Sequence, residues 1–147
     1  MSFIDNIPQS EKSSVRVAVR VRPMNKREKD TKSITEVTND SIYLIHPATK
    51  KKKKFSYDFM YDFDTEQEQL YNDIGKRVIN NAFQGYNSCV FAYGLTGSGK
   101  THSMMGSPEQ PGLIPRICQS LFTKQACHNN VDKGDCKVSY RVELSYL

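Results

Sequence analysis

The sequence predicts an α/β fold in which a phosphate-binding loop joins a strand to a helix. The loop, residues 94–101, reads Gly-Leu-Thr-Gly-Ser-Gly-Lys-Thr and matches the pattern G-x-x-x-x-G-K-[ST] in full. The apolar run at 89–93 before it predicts a buried strand, and a helix is expected after it, through about Met105. Another strand is predicted over 15–21, where valine alternates with other residues until Pro23 ends the pattern.

Stop signals and periodicity predict the elements between these two strands. Three short strands are expected in hairpin order, around 36–38, 42–45 and 54–57. A helix then opens at Thr65, where Glu68 completes a capping box, and Gly85 ends it.

The second half of the chain is predicted to alternate between helix, loop and strand. Gly and Pro residues at 106–112 interrupt the helix after the phosphate loop, and an amphipathic helix follows from Leu113. Residues 128–136 are expected to form a polar loop. The strict alternation over 137–147 predicts a strand that runs to the last residue, which predicts a truncated chain. Residues 1–14 are expected to be a flexible tail.

The phosphate loop predicts a nucleotide site, because each part of it suits an anion. Backbone N–H groups of the glycine-rich stretch can face phosphate oxygens, and Lys100 adds a positive charge for the β- and γ-phosphates. The Thr101 hydroxyl is placed to ligate Mg²⁺, and the following helix directs its positive end at the same anion. The alternative is a glycine-rich turn with an incidental lysine. The predicted loop residues are Gly94, Leu95, Thr96, Gly97, Ser98, Gly99, Lys100 and Thr101.

The composition suits a soluble globular protein of 147 residues with a net charge of +5. Much of that charge comes from the lysine run at 50–54, which we interpret as a solvated loop between strands rather than a nuclear address or a nucleic-acid patch. The four cysteines show no metal-binding spacing, and Cys89 and Cys118 are expected to be buried, as in a reduced cytosolic chain. No signal peptide or stretch of membrane-spanning length is present, so no direct membrane contact is expected.

Several motifs, in order along the chain, resemble the kinesin motor domain. Val17 to Pro23 is similar to the first kinesin strand, which ends in Arg-x-Arg-Pro, and Tyr57 to Asp64 resembles the strand before the first helix. Gly85 to Gly106 resembles the kinesin segment around the phosphate loop. The doubled methionine at 104–105 and the segment Gly-Leu-Ile-Pro-Arg at 112–116 resemble the kinesin-3 group most, and Ser-Tyr-Leu at 145–147 resembles the start of a longer kinesin motif.

The resemblance implies further site residues. Arg20, Arg22 and Pro23 are implied as the edge that packs against adenine, and His102 as a neighbour of the nucleoside. Without the resemblance, the two arginines could be the solvated side of a strand, Pro23 a strand terminator and His102 an ordinary first-turn helix residue. Leu95 departs from the Gln of most kinesins, from which we expect altered nucleotide affinity.

The resemblance also implies a fold and an activity. The fold would be a P-loop NTPase three-layer sandwich around a mostly parallel sheet, incomplete here, with residues 15–147 as the N-terminal part of the motor domain. The activity would be ATP-dependent, Mg²⁺-assisted movement along microtubules, in the cytoplasm and on the cytoskeleton. Neither switch segment (Asn-x-x-Ser-Ser-Arg or Asp-x-Ala-Gly-x-Glu) occurs in the sequence, so no catalytic residues are assigned. The alternatives are a non-motile nucleotide-binding fragment without ATPase activity and, on the lysine run alone, a nucleic-acid-binding domain; we expect no nucleic-acid partner.

Overall fold

The computed structural model describes residues 15–28, 30–38, 40–129 and 141–145. The expected tail at 1–14 lies outside the described residues. Among these described residues, five strands lie in the first half of the chain: β1 (Ala18–Arg20), β2 (Thr35–Val37), β3 (Ile42–Ile45), β4 (Lys52–Phe55) and β5 (Phe59–Tyr61). The second half is helical: α1 (Gln67–Leu70), a π segment (Tyr71–Gly75), α2 (Lys76–Phe83), α3 (Lys100–Met104) and α4 (Leu113–Asn129). The chain divides into two compact units, and the boundary along the sequence falls between Asp64 and Thr65.

The first unit contains a parallel pair and an antiparallel sheet. Strand β1 pairs in parallel with β5, with Val19 opposite Met60, and a hydrogen bond from Val21 N to Tyr61 O (2.9 Å) extends the pair. The strand predicted at 15–21 therefore forms over fewer residues than the alternating valine pattern covers. The carboxylate of Asp58 accepts a hydrogen bond from the backbone N–H of Val17 (2.8 Å), which holds the entry to β1.

The antiparallel sheet has the order β2-β3-β4, as the hairpin prediction required. The first two strands lie where the sequence predicts them. The third begins two residues earlier than predicted, so that Lys52, Lys53 and Lys54 belong to β4 rather than to a loop. The lysine run is thus partly strand, and its side chains alternate between the two faces of the sheet.

The second unit is built on a helix that is continuous from α1 through the π segment to α2. Its buried apolar residues are Leu70 and Ile79, which are 3% and 2% exposed. These two residues lie on either side of the π segment, whose wider turn shifts the phase of the helix between them. The helix begins at Gln67 with Glu66 at the N-cap position, one residue after the Thr65 start that the sequence predicts, and the Glu66 side chain makes no cap hydrogen bond. Gly85 ends the helix as predicted, with φ = +83°.

A closed turn joins α3 to α4. Gly106 has φ = +74° and lies in a bridge with Pro111, and the Gly112 N–H donates to the Met105 carbonyl at 2.9 Å. This is the predicted interruption at 106–112. Helix α4 then runs to Asn129, with Pro115 in its first turn as predicted, so the first two residues of the expected polar loop are helical.

The strand predicted at 89–93 is not formed. Residues 86–93 carry no regular structure, and Phe91 and Tyr93 are 81% and 96% exposed. An apolar run becomes a strand only where a neighbouring strand satisfies its backbone groups, and among the described residues none pairs with this segment. Cys89 and Cys118 are both exposed, so their predicted burial is also wrong.

The last predicted strand is described only in part. Residues 141–145 are exposed and belong to no strand, contrary to the prediction, and Leu144 is 97% exposed. The remainder of the predicted strand, and all but the start of the polar loop before it, lie outside the described residues. In the described ranges no helix has both the length and the apolar character needed to cross a bilayer.

Candidate nucleotide-binding site

The phosphate loop at 94–101 owes its shape to three glycines with positive φ angles. Gly94, Gly97 and Gly99 have φ values of 149°, 81° and 98°. Side chains with a Cβ rarely adopt these angles, so the sequence pattern and the backbone agree. Gly99 is also the N-cap of α3, so the loop passes directly into the helix.

Lys100 spans the loop from its end to its beginning. The Nζ ammonium donates to the carbonyl oxygens of Gly94 (2.8 Å) and Leu95 (2.9 Å). The charge therefore lies on the loop itself, where it can meet an anion held by the loop backbone. The Ser98 N–H donates to the Leu95 carbonyl at 3.0 Å, which tightens the same turn. The side chain of Leu95 is 85% exposed and takes no part in these contacts.

Thr101 and His102 occupy the first turn of α3, and both are exposed. The Thr101 hydroxyl is the one oxygen ligand for Mg²⁺ that the motif supplies. In the described part of the chain no three His, Cys, Asp or Glu side chains cluster as a metal site. The residues present fit an ion held mainly by phosphates and water, as Mg²⁺ usually is, rather than an all-protein site.

The side chain that holds His102 is Gln67. Its amide Nε2 donates to the His102 carbonyl oxygen at 2.6 Å and lies 3.3 Å from the imidazole Nδ1. Gln67 is 3% exposed. Sequence reasoning missed this residue, because a glutamine in the first turn of a helix is typical of a solvated position and the contact joins residues 35 positions apart.

The residues implied as the adenine edge lie in the first unit. Arg20 belongs to β1, and partial burial lowers the pKa of its guanidinium, with Tyr61 acting in the opposite direction. Arg22 follows the strand and pairs with Glu28 through two bonds of 2.7 Å each. Pro23 contributes its carbonyl, which accepts from Arg22 at 2.9 Å. Glu28 is a second residue that sequence reasoning missed, since it is one of several charges in a loop.

Comparison with known proteins identifies the family. A family model described as the kinesin motor domain matches residues 20–147. This chain belongs to the kinesin family. The kinesin-like protein Klp98A of Drosophila melanogaster is 44% identical over 152 aligned residues, and human KIF1B is 44% identical over 149; each alignment covers 92% of this chain. They cover 12% and 8% of those relatives, so this kinesin chain spans about a tenth of their length.

Solved kinesin structures show the same fold. A KIF14 segment with ADP in complex with a microtubule matches with a TM-score of 0.73 and 42% identity, over 77% of this chain and 34% of that one. A KIF14 dimer in the two-heads-bound state, with AMP-PNP in complex with a microtubule, matches with a TM-score of 0.74 and 42% identity, over 80% and 35%. The predicted P-loop NTPase fold of the kinesin type is confirmed, as is the resemblance to the kinesin-3 group.

Proposed function

We propose that this kinesin chain carries the ATP-binding loop of a microtubule motor. The observation that supports it most is the loop geometry: positive φ at Gly97 and Gly99, with the Lys100 ammonium bonded across the loop to Gly94 and Leu95. A glycine-rich loop of this shape, with a lysine ammonium lying on it, suits the β- and γ-phosphates of a nucleoside triphosphate. The KIF14 structures with ADP and AMP-PNP support this ligand class.

Each residue of the site has a proposed role. The loop backbone from Gly94 to Gly99 holds the phosphates. The Lys100 ammonium moves from the carbonyl oxygens of Gly94 and Leu95 to the β- and γ-phosphates, and the Thr101 hydroxyl ligates Mg²⁺. When bound, that ion would neutralise charge on the phosphate oxygens. His102 lies beside the nucleoside, and Arg20, Arg22 and Pro23 provide its base-binding edge, as the family resemblance implies.

For the whole motor, the proposed partner is the microtubule. The proposed location of the motor is the cytoplasm, on the cytoskeleton. Support comes from the two KIF14 structures, both in complex with a microtubule. Motion would require hydrolysis, and the groups that position water at a γ-phosphate are not found in the sequence, which has neither kinesin switch motif. We therefore propose that residues 1–147 bind nucleotide without turning it over.

The decisive experiment is calorimetric titration of the protein with Mg-ATP. We expect binding that Lys100→Ala weakens by about 10- to 100-fold, the range for losing charge-assisted hydrogen bonds. Lys51→Ala is the control: it removes the same charge from an exposed position directly before β4 in the first unit. This variant should leave the affinity for Mg-ATP unchanged. Absence of binding by the unmodified protein, or equal affinities for the two variants, would refute the proposal.

Hydrolysis and microtubule binding are tested separately. Phosphate release is measured with and without microtubules, and co-sedimentation is measured with AMP-PNP and with ADP. Steady turnover by residues 1–147 that Lys100→Ala abolishes would overturn the non-hydrolysing role and leave the nucleotide site intact.

A further inference from the structure

Gln67 is a buried polar side chain that contacts one residue of the phosphate-loop helix, His102, at two of its atoms. It is 3% exposed, and its amide nitrogen is within hydrogen-bond distance of both the carbonyl oxygen and the Nδ1 of His102. A buried amide must be satisfied by such partners. The carbonyl oxygen and the ring nitrogen of His102 are two such partners of the Gln67 amide.

The identity of these partners fixes the orientation of the amide. The His102 carbonyl oxygen, 2.6 Å away, can only accept, so the NH₂ group and not the Oε1 of Gln67 faces it. One N–H goes to that oxygen, and the second is available to Nδ1 at 3.3 Å. A ring nitrogen that accepts a hydrogen bond carries no proton, so in this arrangement the imidazole proton lies on Nε2.

The hydrogen bond from Gln67 Nε2 to the His102 carbonyl oxygen satisfies an acceptor near the end of helix α3. Helix α3 is five residues long, and its last carbonyls lack partners within the helix. The N–H groups of Met105 and Gly106 both donate to Thr101, at 2.8 and 3.2 Å, and so leave the His102 carbonyl to Gln67. Gln67 thus caps the helix that follows the phosphate loop.

Contacts made by the next turn of its helix fix the position of Gln67. The next turn of its helix is anchored by buried Leu70, and the Tyr71 hydroxyl is hydrogen-bonded to Ser120 of α4. The position of the amide is therefore set by packing between helices rather than by solvent.

We propose that Gln67 is a positioning residue of the nucleotide site, which fixes the backbone of His102 and holds its imidazole as the Nε2–H tautomer toward the nucleoside. The inference rests on the proposed nucleotide-binding function. It makes affinity for the nucleoside, and not for the phosphates alone, depend on a side chain outside the loop.

The tautomer is measured directly by ¹⁵N NMR of the His102 ring. We expect the unmodified protein to show an unprotonated Nδ1 and a protonated Nε2. Gln67→Glu keeps the shape but replaces the donor by an acceptor, so Nδ1 should gain a proton. Gln69→Glu makes the same change at an exposed position of the same short helix and should leave the ring unchanged. A protonated Nδ1 in the unmodified protein would overturn the proposal without any variant.

Binding is measured with two probes, Mg-ATP and inorganic tripolyphosphate. Gln67→Glu should weaken ATP binding by about three- to tenfold, as expected for one lost hydrogen-bonded contact, and change tripolyphosphate binding less than twofold. Equal losses for both probes would show that the loop itself is disturbed, and unchanged ATP affinity would show that His102 is not positioned for the nucleoside; either result overturns the inference. If the unmodified protein binds neither probe, the proposed function fails, while the NMR result still decides how Gln67 and His102 interact.

Discussion

Glu28 holds Arg22 by two parallel hydrogen bonds, from Nη1 to Oε2 and from Nη2 to Oε1, each 2.7 Å long. The backbone N–H of Asn25 donates to the same carboxylate at 3.0 Å. Arg22, in turn, donates to the carbonyl of Pro23. A guanidinium held at two points has a fixed plane, so this turn orients the arginine that the family resemblance assigns to the nucleobase.

This pair makes stability depend on pH in the acid range. The hydrogen bonds from Arg22, followed by that from Asn25, lower the pKa of Glu28 from 4.5 to about 2. Because the folded pKa lies below the unfolded one, the stabilisation is complete above about pH 4.5 and is lost as the pH falls toward 2. We expect the Glu28 carboxyl resonance to titrate near pH 2 in an NMR titration.

The matched variant is Arg22→Lys, which keeps the charge but cannot make both bonds. In that protein the Glu28 pKa should move up toward its ordinary value. Adding Glu28→Gln to it should change the free energy of unfolding in urea, between pH 2 and 5, by less than Glu28→Gln does in the unmodified protein. An unchanged Glu28 titration in Arg22→Lys would contradict the importance of the two-point contact.

The turn between α3 and α4 is expected to tolerate no side chain at Gly106. A Cβ there would lie against the carbonyl oxygen of Gln110 and the amide nitrogen of Gly112, and φ is +74°. Both neighbours are backbone atoms of the closed turn and cannot rotate away. Gly106→Ala should therefore destabilise the folded protein by more than the roughly 1–2 kcal/mol that a left-handed alanine costs. The loss is measured as a lower midpoint of thermal unfolding.

Gly85→Ala is the control for this prediction. Gly85 has a similar φ of +83°, but a Cβ there meets nothing within 4 Å. The difference between the two variants in a thermal unfolding experiment measures the steric cost alone. Equal midpoints would show that the turn opens without penalty.

The sequence predicts the local features of this protein well. The phosphate loop is defined by glycines whose φ angles only glycine adopts readily, and the helix stop at Gly85 follows the same rule. Hairpin order in the antiparallel sheet follows from alternation and turn residues. Each of these signals acts within a few residues, so one segment contains its whole cause.

Features that depend on distant partners were missed or predicted wrongly. The apolar run at 89–93 has the composition of a strand, but a strand also needs a neighbour, and in the described residues it has none. The π segment at Tyr71–Gly75 was not predicted, and its Tyr71 is hydrogen-bonded to Ser120, 49 positions away. Gln67 bonds across 35 positions, and no local pattern marks such a pair.

Tyr71→Phe tests the contact between the π segment and α4. The Tyr71 hydroxyl is hydrogen-bonded to Ser120, and both residues are half-buried. Loss of this bond should destabilise the folded protein by about 1 kcal/mol, seen as a midpoint a few degrees lower. Tyr86→Phe changes a residue that is 66% exposed and should have no effect. Equal midpoints for the two variants would show that the interhelical bond contributes nothing.

The lysine run at 50–54 is expected to bind no nucleic acid, because the strand divides its charge. Neighbouring residues of β4 point to opposite faces, Lys52 is paired with Glu36 at 2.6 Å, and the Lys53 ammonium lies 5.1 Å from the centre of the Phe55 ring. A nucleic-acid site needs several cations on one face to release counterions from the phosphate backbone. Fluorescence anisotropy with a random DNA duplex at physiological salt should show no binding. Salt-dependent binding that is lost in a Lys51→Gln, Lys53→Gln double variant would instead establish a basic face on this sheet.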